Sequence, residues 1–162
     1  MEAKIIRVTA PEGRIEADIN LPSSKSISNR LLIMNALSGN KIRIRNLSSS
    51  ADTMVLRDAL QPGKREINIG NAGTAMRFLT AYLAVTEGEY VLTGSERMCQ
   101  RPIGKLVQAL RQLGADIGYL ENEGFPPLTI RGKRLQKQEV EIDGSTSSQF
   151  ISALLMIAPV LP

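Results

Sequence analysis

The sequence predicts an α/β or α+β domain in which buried helices pack side by side with sheets around them. Short strand patterns and helix patterns alternate along the whole chain. In three places, near residues 19–38, 67–86 and 141–158, a strand pattern leads through a turn of small residues into a largely apolar helix. Helices without a polar face lie in protein interiors. We therefore expect three buried helices whose polar starts meet at one end, where a ligand would bind.

Two short strands are predicted before the first of these helices, at 4–8 and 14–19. The helix begins near Ser24, whose hydroxyl is a good cap, and ends near Gly39, because glycine is a frequent helix stop. The residues predicted to form its apolar face are Ile27, Leu31 and Met34, and Leu32 and Leu37 are predicted to widen that face. A strand with one basic face (41–45), a short helix (53–60) and a brief strand (66–69) follow.

The second half of the chain continues the alternation. The second apolar helix ends near Gly88, and residues 89–93 predict a strand. Pro102 suits the first position of an amphipathic helix that Gly114 ends. The remaining predicted elements are a strand pair (116–120 and 128–131), an exposed basic connection (131–138), a strand (139–142) and a third apolar helix that residues 143–149 open.

The composition excludes several kinds of site. The 162 residues contain no His, so no Ser–His–Asp triad, His general base or His metal ligand is available. The single Cys99 excludes intrachain disulfides and Cys-rich zinc sites, and it fits a reducing cytoplasm. Few aromatic residues and a net charge of only +4 argue against nucleic-acid binding. We expect neither a signal peptide nor a membrane span.

The helix starts, and the loop before Pro102, carry groups that bind anions. A helix N-terminus is partly positive, so Lys25 and Arg30 at the first start are unfavourable unless an anion joins them. Arg77 lies just inside the second helix, and Arg101 precedes Pro102. The polar groups that accompany these cations are Ser26, Thr74, Ser147, Ser148 and Gln149, and Gly73 allows a close backbone approach.

Simpler explanations stay open for each of these residues. A capped helix with two solvated basic residues explains the first start about equally well, and a structural ion pair explains Arg77 equally well. Helix capping is the better explanation for each serine of the Ser147-Ser148 pair taken alone. The nearest carboxylates, Asp52 and Asp143, are better explained as loop or cap residues than as general bases. Neither a nucleoside-triphosphate loop nor a dinucleotide fingerprint has the required glycine spacing here.

Four segments taken together resemble the 5-enolpyruvylshikimate-3-phosphate (EPSP) synthase family. They are residues 21–30 (LPSSKSISNR), 70–77 (GNAGTAMR), 97–104 (with Arg97-Met98 and Arg101-Pro102-Ile103-Gly104) and 143–150 (DGSTSSQF). They follow the family's order and extend over nearly the whole chain, and the second is close to diagnostic. The resemblance implies transfer of the enolpyruvyl group of phosphoenolpyruvate to the 5-hydroxyl of shikimate 3-phosphate, through a tetrahedral intermediate and without metal or organic cofactor.

The resemblance also implies roles for individual residues. Lys25 is expected to contact both substrates and to be catalytic. The residues expected to hold shikimate 3-phosphate are Lys25, Ser26, Arg30, Ser147, Ser148 and Gln149. The residues expected on the phosphoenolpyruvate side, where glyphosate also binds, are Lys25, Asn71, Gly73, Arg101 and Gln149. Thr74 and Arg77 are expected to support that wall.

The family fold implies an incomplete domain. Family members have two domains, each built from three βαβαββ units, with the active site between them. Residues 19–162 would supply about two units and one helix of the N-terminal domain, and residues 1–18 would belong with the other domain. The segment 60–67 is shorter than usual, which implies a trimmed hairpin. General acid and base residues would lie in the missing part, so we expect this chain alone to be inactive and the intact protein to be a monomer.

Two alternatives remain. A sister enolpyruvyl transferase acting on UDP-N-acetylglucosamine shares the fold and the donor, but it would use a catalytic Cys loop. Cys99 lies in a loop, yet its neighbours match the shikimate enzyme. The other alternative, from a different functional class, is a non-catalytic anion-binding or assembly domain.

Overall fold

Six α-helices and a four-stranded sheet form the part of the chain that the computed structural model describes, residues 6–137, 139–145 and 147–162. The helices are α1 (Lys25–Leu37), α2 (Ala51–Ala59), α3 (Gly73–Val85), α4 (Glu96–Cys99), α5 (Gly104–Gln112) and α6 (Ser148–Ile157). The strands are β1 (Glu66–Asn68), β2 (Gly88–Thr93), β3 (Asp116–Tyr119) and β4 (Leu128–Gly132). A short 3₁₀ turn, Ala158–Val160, follows α6. The predicted mixture of helices and strands is confirmed.

The sheet has the strand order β1-β2-β4-β3. β1 and β2 are parallel, and α3 connects them, whereas β2 pairs with β4 and β4 with β3 in antiparallel fashion. One face carries buried apolar side chains, including Ile67, Leu92 and Ile130. Because side chains alternate along a strand, the other face carries charged residues such as Glu89 and Arg131. The apolar face packs on helices, and this arrangement places α3 in the centre of the domain.

α3 is surrounded by other elements, as its apolar sequence predicts. It contacts α1, α2, α5 and α6 as well as β2 and β4. Its side chains from Ala75 to Ala84 are nearly all buried, and Phe78 and Leu79 have no exposed surface. A helix buried on all sides has its direction fixed by its neighbours, so the start of α3 is held in place.

α3 and α6 run in the same direction. Near their starts, the guanidinium of Arg77 lies over the ring of Phe150, 5.6 Å from the ring centroid. At their other ends, Val85 at the end of α3 and Val160 just after α6 line one cavity. Contacts at matching ends require that the two helices are parallel.

α1 is parallel to α6 for the same reason. Arg30 of α1 donates from Nη2 to Oγ of Ser152 in α6, at 3.1 Å. Leu37 at the end of α1 and Pro159 just after α6 line a groove of about 490 Å³. The predicted parallel packing of the three apolar helices is therefore confirmed, and their N-termini lie at the same end of the domain.

Three predicted strands are absent from the described residues. Residues 6–24 form neither strand nor helix, and nearly all of them are exposed. Residues 4 and 5 of the predicted strand 4–8 lie outside the described part. Residues 41–45 and 139–142 also form no strand. An isolated strand leaves its backbone groups unpaired, and the described residues offer no neighbouring strand to these segments. Of the three predicted strand–helix units, only β1–α3 has its strand.

Side chains replace the missing strand partners at two of these places. The carboxamide of Asn35 accepts from the N–H of Ile42 at 2.8 Å. The carboxamide of Gln112 donates to the carbonyl oxygen of Glu141 at 3.2 Å and accepts from its N–H at 3.1 Å. The backbone of both segments therefore has hydrogen bonds without a β-ladder.

Three further predictions about the helices need correction. α5 begins at Gly104 with Ile103 as its N-cap, so Pro102 lies before the helix, and residues 96–99 form the one-turn helix α4. α6 is not buried on every side, because Leu155 is 66% exposed. The buried face of α1 contains Ser28, Asn29, Leu32 and Ile33; of the predicted face, Leu32 is buried and Leu37 packs against the core, whereas Ile27 and Met34 are exposed. No helix of the described ranges is long and apolar enough to cross a membrane.

Candidate anion-binding site

The start of α1 is capped as predicted, and it presents a paired lysine. Ser24 has an extended backbone, and its Oγ accepts from the N–H of Ile27 at 3.3 Å. Lys25 is the first residue of the helix, and its Nζ lies 3.0 Å from Oδ2 of Asp52 in the first turn of α2. Asp52 is therefore neither a loop residue nor a cap: it is the counter-ion of Lys25. Ser26 is exposed beside this pair.

Arg30 points into the junction of the three parallel helices. Its guanidinium lies 5.4 Å from the centroid of the Phe78 ring in α3. Its Nη1 donates to the carbonyl oxygen of Ser26 at 3.0 Å, and Nη2 donates to Ser152 in α6. Arg30 thus ties α1 to α3 and α6 near their starts, and within the described residues no carboxylate forms an ion pair with it.

The start of α3 brings two arginines to one glycine. Gly73 is the first residue of α3, and the N-cap, Ala72, has no side chain that could accept from the free N–H groups. Arg77 Nη1 donates to the carbonyl oxygen of Gly73 at 2.7 Å. A β-carbon added to Gly73 would lie 2.8 Å from Nη1 of Arg77 and closer still to Nη1 of Arg101. Glycine at this position is what lets both guanidinium groups approach the backbone.

Arg77 lies in an unfavourable environment for a cation. Burial lowers its pKa, and the nearby charge of Arg101 lowers it further. The Nε atom of Arg77 is buried and has no hydrogen-bond partner. Within the described ranges, neither Arg77 nor Arg101 has a carboxylate at ion-pair distance. Two adjacent cations without a counter-ion, next to a helix N-terminus, form a site prepared for an anion.

A hydrogen-bonded pair of loops fixes Arg101 next to Gly73. Ser95 donates from Oγ to Oδ1 of Asn71, and its backbone N–H donates to the carbonyl oxygen of Gly70 at 3.0 Å. The same Oγ accepts from the N–H of Met98 and caps α4. Asn71 is therefore joined to the start of α4, the short helix that Arg101 follows. Sequence reasoning missed Ser95, although its position at a helix cap was a signal that could have identified it.

The start of α6 is capped by Ser147, whose Oγ accepts from the N–H of Gln149 at 3.3 Å. Ser148 is the first residue of the helix and is exposed, whereas Gln149 is half-buried. Thr146, in the predicted motif, lies outside the described residues. The capping explanation for Ser147 is thus correct, and a hydroxyl that caps a helix still has lone pairs and a proton available to a ligand.

A turn at Asp143 precedes this start. Its Oδ1 accepts from the N–H of Ser145 at 2.9 Å and from the hydroxyl of Ser145 at 2.7 Å. Its Oδ2 accepts from Nζ of Lys105 at 3.1 Å. The bonds from Ser145, followed by the bond from Lys105, hold the pKa of Asp143 far below its usual range. An acid held so firmly in its ionised form is a structural group rather than a general base.

The structure brings some of the predicted site residues into contact. Gly73, Arg77 and Arg101 form one cluster, and Ser95 connects Asn71 to it. Arg30 contacts the neighbouring helices, and Lys25 is paired with Asp52. Thr74 is the second residue of α3 and half-buried. These groups donate hydrogen bonds or carry positive charge, so the arrangement can hold phosphate and carboxylate groups. The described residues contain no group of three His, Cys, Asp or Glu side chains that could hold a metal ion.

Comparison with known proteins identifies the family of the chain. The family profile for EPSP synthase (3-phosphoshikimate 1-carboxyvinyltransferase) matches residues 9–62 and 56–162. A 3-phosphoshikimate 1-carboxyvinyltransferase of Bacteroides fragilis is 57% identical over 154 residues, which cover 95% of this chain and 37% of that protein. One of Colwellia psychrerythraea is 47% identical over 177 aligned positions, covering 93% of this chain and 42% of that protein.

A solved structure has the same fold over most of the chain. EPSP synthase from Acinetobacter baumannii superposes with a TM-score of 0.74 at 22% sequence identity, and the match covers 88% of this chain and 38% of that one. The chain therefore spans about two fifths of the length of the relatives that it matches.

Proposed function

The chain belongs to the EPSP synthase family, and on that basis we propose that it takes part in enolpyruvyl transfer from phosphoenolpyruvate to shikimate 3-phosphate. The reaction releases phosphate and belongs to the shikimate pathway of aromatic amino acid biosynthesis. The function concerns the whole protein, because this chain corresponds to 37% of the length of its Bacteroides relative.

One observation carries the proposal: Arg77 and Arg101 meet at Gly73 without a counter-ion among the described residues. Phosphoenolpyruvate carries a carboxylate and a phosphate, and shikimate 3-phosphate also carries both. Guanidinium groups match the geometry of these anions and bind them through paired hydrogen bonds. An anion at this position would relieve the repulsion between the two arginines, so part of its binding energy comes from the protein's own electrostatic strain.

Each substrate is assigned to its own part of the helix starts. The phosphoenolpyruvate side, which would also accept glyphosate, consists of Lys25, Asn71, Gly73, Arg101 and Gln149. The shikimate 3-phosphate side consists of Lys25, Ser26, Arg30, Ser147, Ser148 and Gln149. Thr74 and Arg77 support the first side from within α3. The support for this assignment is that α1, α3 and α6 are parallel and begin at the same end of the domain.

The proposed chemical role of this chain is electrostatic. Fixed cations and helix N-termini stabilise negative charge that is retained or formed in a tetrahedral intermediate. The two carboxylates nearest in sequence to the predicted site residues are both in ion pairs, Asp52 with Lys25 and Asp143 with Lys105. We infer that the acid and base residues come from other parts of the longer protein, and that the 162-residue chain alone does not complete the reaction. No metal or organic cofactor is required.

Calorimetry and a phosphate-release assay test this function. The 162-residue chain is expected to bind shikimate 3-phosphate weakly and to show no turnover. A chimera that continues with the remaining residues of the Bacteroides fragilis relative is expected to release phosphate from the two substrates. Lys25→Met or Arg101→Ala in the chimera should reduce the rate by about a hundredfold or more, since each removes a charged contact in a closed site.

Two results would decide against this proposal. Turnover by the 162-residue chain alone would refute the claim of incompleteness. A folded chimera that neither binds nor converts the two substrates would refute the function and favour a non-catalytic anion-binding domain.

The sister reaction on UDP-N-acetylglucosamine is not favoured. The relatives that match are 3-phosphoshikimate 1-carboxyvinyltransferases. Cys99 is half-buried at the end of α4, where its Sγ lies 3.9 Å from Oγ1 of Thr93 and from the carbonyl oxygen of Gly94. Cys99→Ala in the chimera is accordingly expected to keep its activity. We further propose a cytoplasmic monomer whose partners are the two small-molecule substrates and not nucleic acid or membrane.

A further inference from the structure

We propose that Asp52 is a positioning residue for Lys25 and that a buried hydrogen bond between Asn29 and Thr53 holds Asp52 in place. The inference rests on the proposed function in one respect, namely that Lys25 contacts the substrates. Neither Asp52, Asn29 nor Thr53 belongs to the substrate-binding set assigned above. The observation behind the proposal is that the partly exposed ion pair between Lys25 and Asp52 is adjacent to a fully buried hydrogen bond that connects α1 and α2.

The ion pair by itself is too weak to hold a lysine. The side chains of Lys25 and Asp52 are 49% and 31% exposed, and ion pairs of this exposure contribute little to stability. Lysine also has a long flexible side chain that loses much rotamer freedom when it is fixed. A fixed ammonium position therefore requires that Asp52 is itself held rigidly with respect to the start of α1.

The buried connection supplies that rigidity. Thr53 donates from Oγ1 to Oδ1 of Asn29 at 2.8 Å, and neither residue has any exposed surface. Thr53 is the neighbour of Asp52 in α2, and Asn29 lies one helical turn after Lys25 in α1. Each end of the ion pair is thus next to one end of the buried bond.

A second set of hydrogen bonds connects the start of α2 to α1. Ser28 accepts at Oγ from the N–H of Ser48 at 2.9 Å, and Ser48 accepts at Oγ from the N–H of Ser50 at 3.2 Å. Ser50 caps α2 and lies 2.9 Å from Oγ1 of Thr53. The first turn of α2 is therefore connected to α1 through polar side chains on a face that could have been apolar.

The expected benefit of this arrangement is preorganisation. An ammonium group has three N–H donors, so one bond to Asp52 leaves two for the substrates. Fixing Lys25 before the substrate arrives lowers the entropy that binding must overcome. The opposite effect of Asp52 is that its negative charge repels an anionic substrate. The two effects predict different outcomes when that charge is removed, which makes the proposal testable.

The first measurement is an NMR spectrum of the chain with ¹³C-labelled lysine, without substrate. A held lysine gives two separate ε-methylene proton shifts, whereas a freely rotating lysine gives one. The Lys25 signal, assigned by its loss in Lys25→Arg, is expected to be split in the wild type and to collapse in Asp52→Asn and Thr53→Val. Thr53→Ser, which keeps the hydroxyl, should restore the splitting. Asp58→Asn, which removes the other ion pair of α2, with Lys64, should leave the splitting unchanged.

The second measurement is the affinity of the same proteins for shikimate 3-phosphate. If Asp52 positions Lys25, Asp52→Asn should bind the substrate about three- to tenfold more weakly. If Asp52 only neutralises the charge of Lys25, the same variant should bind the substrate more tightly. A single Lys25 ε-methylene signal in the wild type, a splitting that survives Asp52→Asn, or tighter binding by Asp52→Asn would each overturn the inference. If no variant binds the substrate, the substrate-free spectrum decides the role of Asp52, and the proposed function is decided separately by the chimera.

Discussion

Arg77 and Arg101 place their guanidinium groups against the same backbone position, Gly73, at the first residue of α3. Arg77 reaches it from within the helix and donates to its carbonyl oxygen, whereas Arg101 reaches it from the loop after α4. Like charges at this distance repel each other, and burial of Arg77 increases the cost. The arrangement stores unfavourable electrostatic energy that a bound anion would release.

Replacing Arg101 should therefore separate stability from binding. Arg101→Gln is expected to leave the melting temperature unchanged or to raise it, because the repulsion on Arg77 is removed. Its affinity for phosphoenolpyruvate should fall about tenfold to a hundredfold, the effect of losing one charged hydrogen bond. Thermal unfolding with and without phosphoenolpyruvate measures both effects. Arg97→Gln, at an exposed position of α4, is the matched control that loses the same charge.

A methyl group at Gly73 should have a similar effect by another route. Gly73→Ala places a β-carbon where both guanidinium groups now lie, so at least one of them must move. Alanine is the better helix former by about 1 kcal/mol, and this gain offsets the cost of moving a guanidinium group. The free energy of unfolding in urea should therefore change little. Calorimetry with phosphoenolpyruvate is expected to show weaker binding. Unchanged affinity would mean that the arginines do not bind the ligand from this position.

Gln112 is expected to hold the segment before α6. Gln112→Ala removes the two bonds to the backbone of Glu141, each worth about 1 kcal/mol. Hydrogen exchange at the Glu141 amide should become about fivefold faster or more, because its local opening becomes easier. Gln108→Ala, an exposed position of the same helix, should leave this rate unchanged. Equal rates in the two variants would contradict the role of Gln112.

Gly132 at the end of β4 should tolerate no side chain. A β-carbon there would collide with the carbonyl oxygens of Thr86 and Leu83, which are backbone atoms that cannot turn aside. Gly132→Ala is expected to lower the free energy of unfolding by about 3 kcal/mol, because β4 must move away from the end of α3. Gly144→Ala, where an added β-carbon meets no atom within 4 Å, is the control. Urea unfolding of both variants provides the comparison.

Asp143 should stabilise the fold in a pH-dependent way. Its folded pKa lies below the unfolded value, which is about 3.9 for aspartate. Its contribution is therefore present above about pH 4 and is lost as the pH falls through that value towards the folded pKa. Asp143→Asn should melt at a lower temperature than the wild type at pH 7, and the difference should shrink below pH 4. A constant difference from pH 7 to pH 3 would show that the charge is unimportant.

The helix pattern of the sequence was sufficient to locate the helices that carry the site. Caps and apolar spacing depend on residues within one or two turns, so Ser24, Ser147 and the glycines after α1 and α5, Gly39 and Gly114, could be identified without knowledge of the fold. Gly88, predicted to end α3, is instead the first residue of β2. The charge and hydroxyl content of the starts could also be read without the fold, because they are properties of the residues themselves. The binding roles of the individual residues remain predictions.

The strand pattern was a weaker guide for an equally physical reason. Residues 14–19, 41–45 and 139–142 have the alternation of a strand, but a strand exists only when another strand accepts and donates its hydrogen bonds. Whether such a partner is near depends on the whole fold. Periodicity also placed the exposed Ile27 and Met34 at the centre of the buried face of α1, because hydrophobicity does not reveal that Asn29 has a buried hydroxyl partner in Thr53.

The sequence by itself determined the kinds of group present at the helix starts and the family to which the motifs point. Only the tertiary structure decided that Arg77 and Arg101 meet at Gly73, that Asp52 pairs with Lys25, and that Ser95 joins two loops. Apart from Arg77 and Gly73, which lie one turn apart in α3, these partners are between 24 and 28 residues apart in the chain. Contacts over such separations form only when packing of the buried helices brings distant turns together, and local propensities contain no information about them.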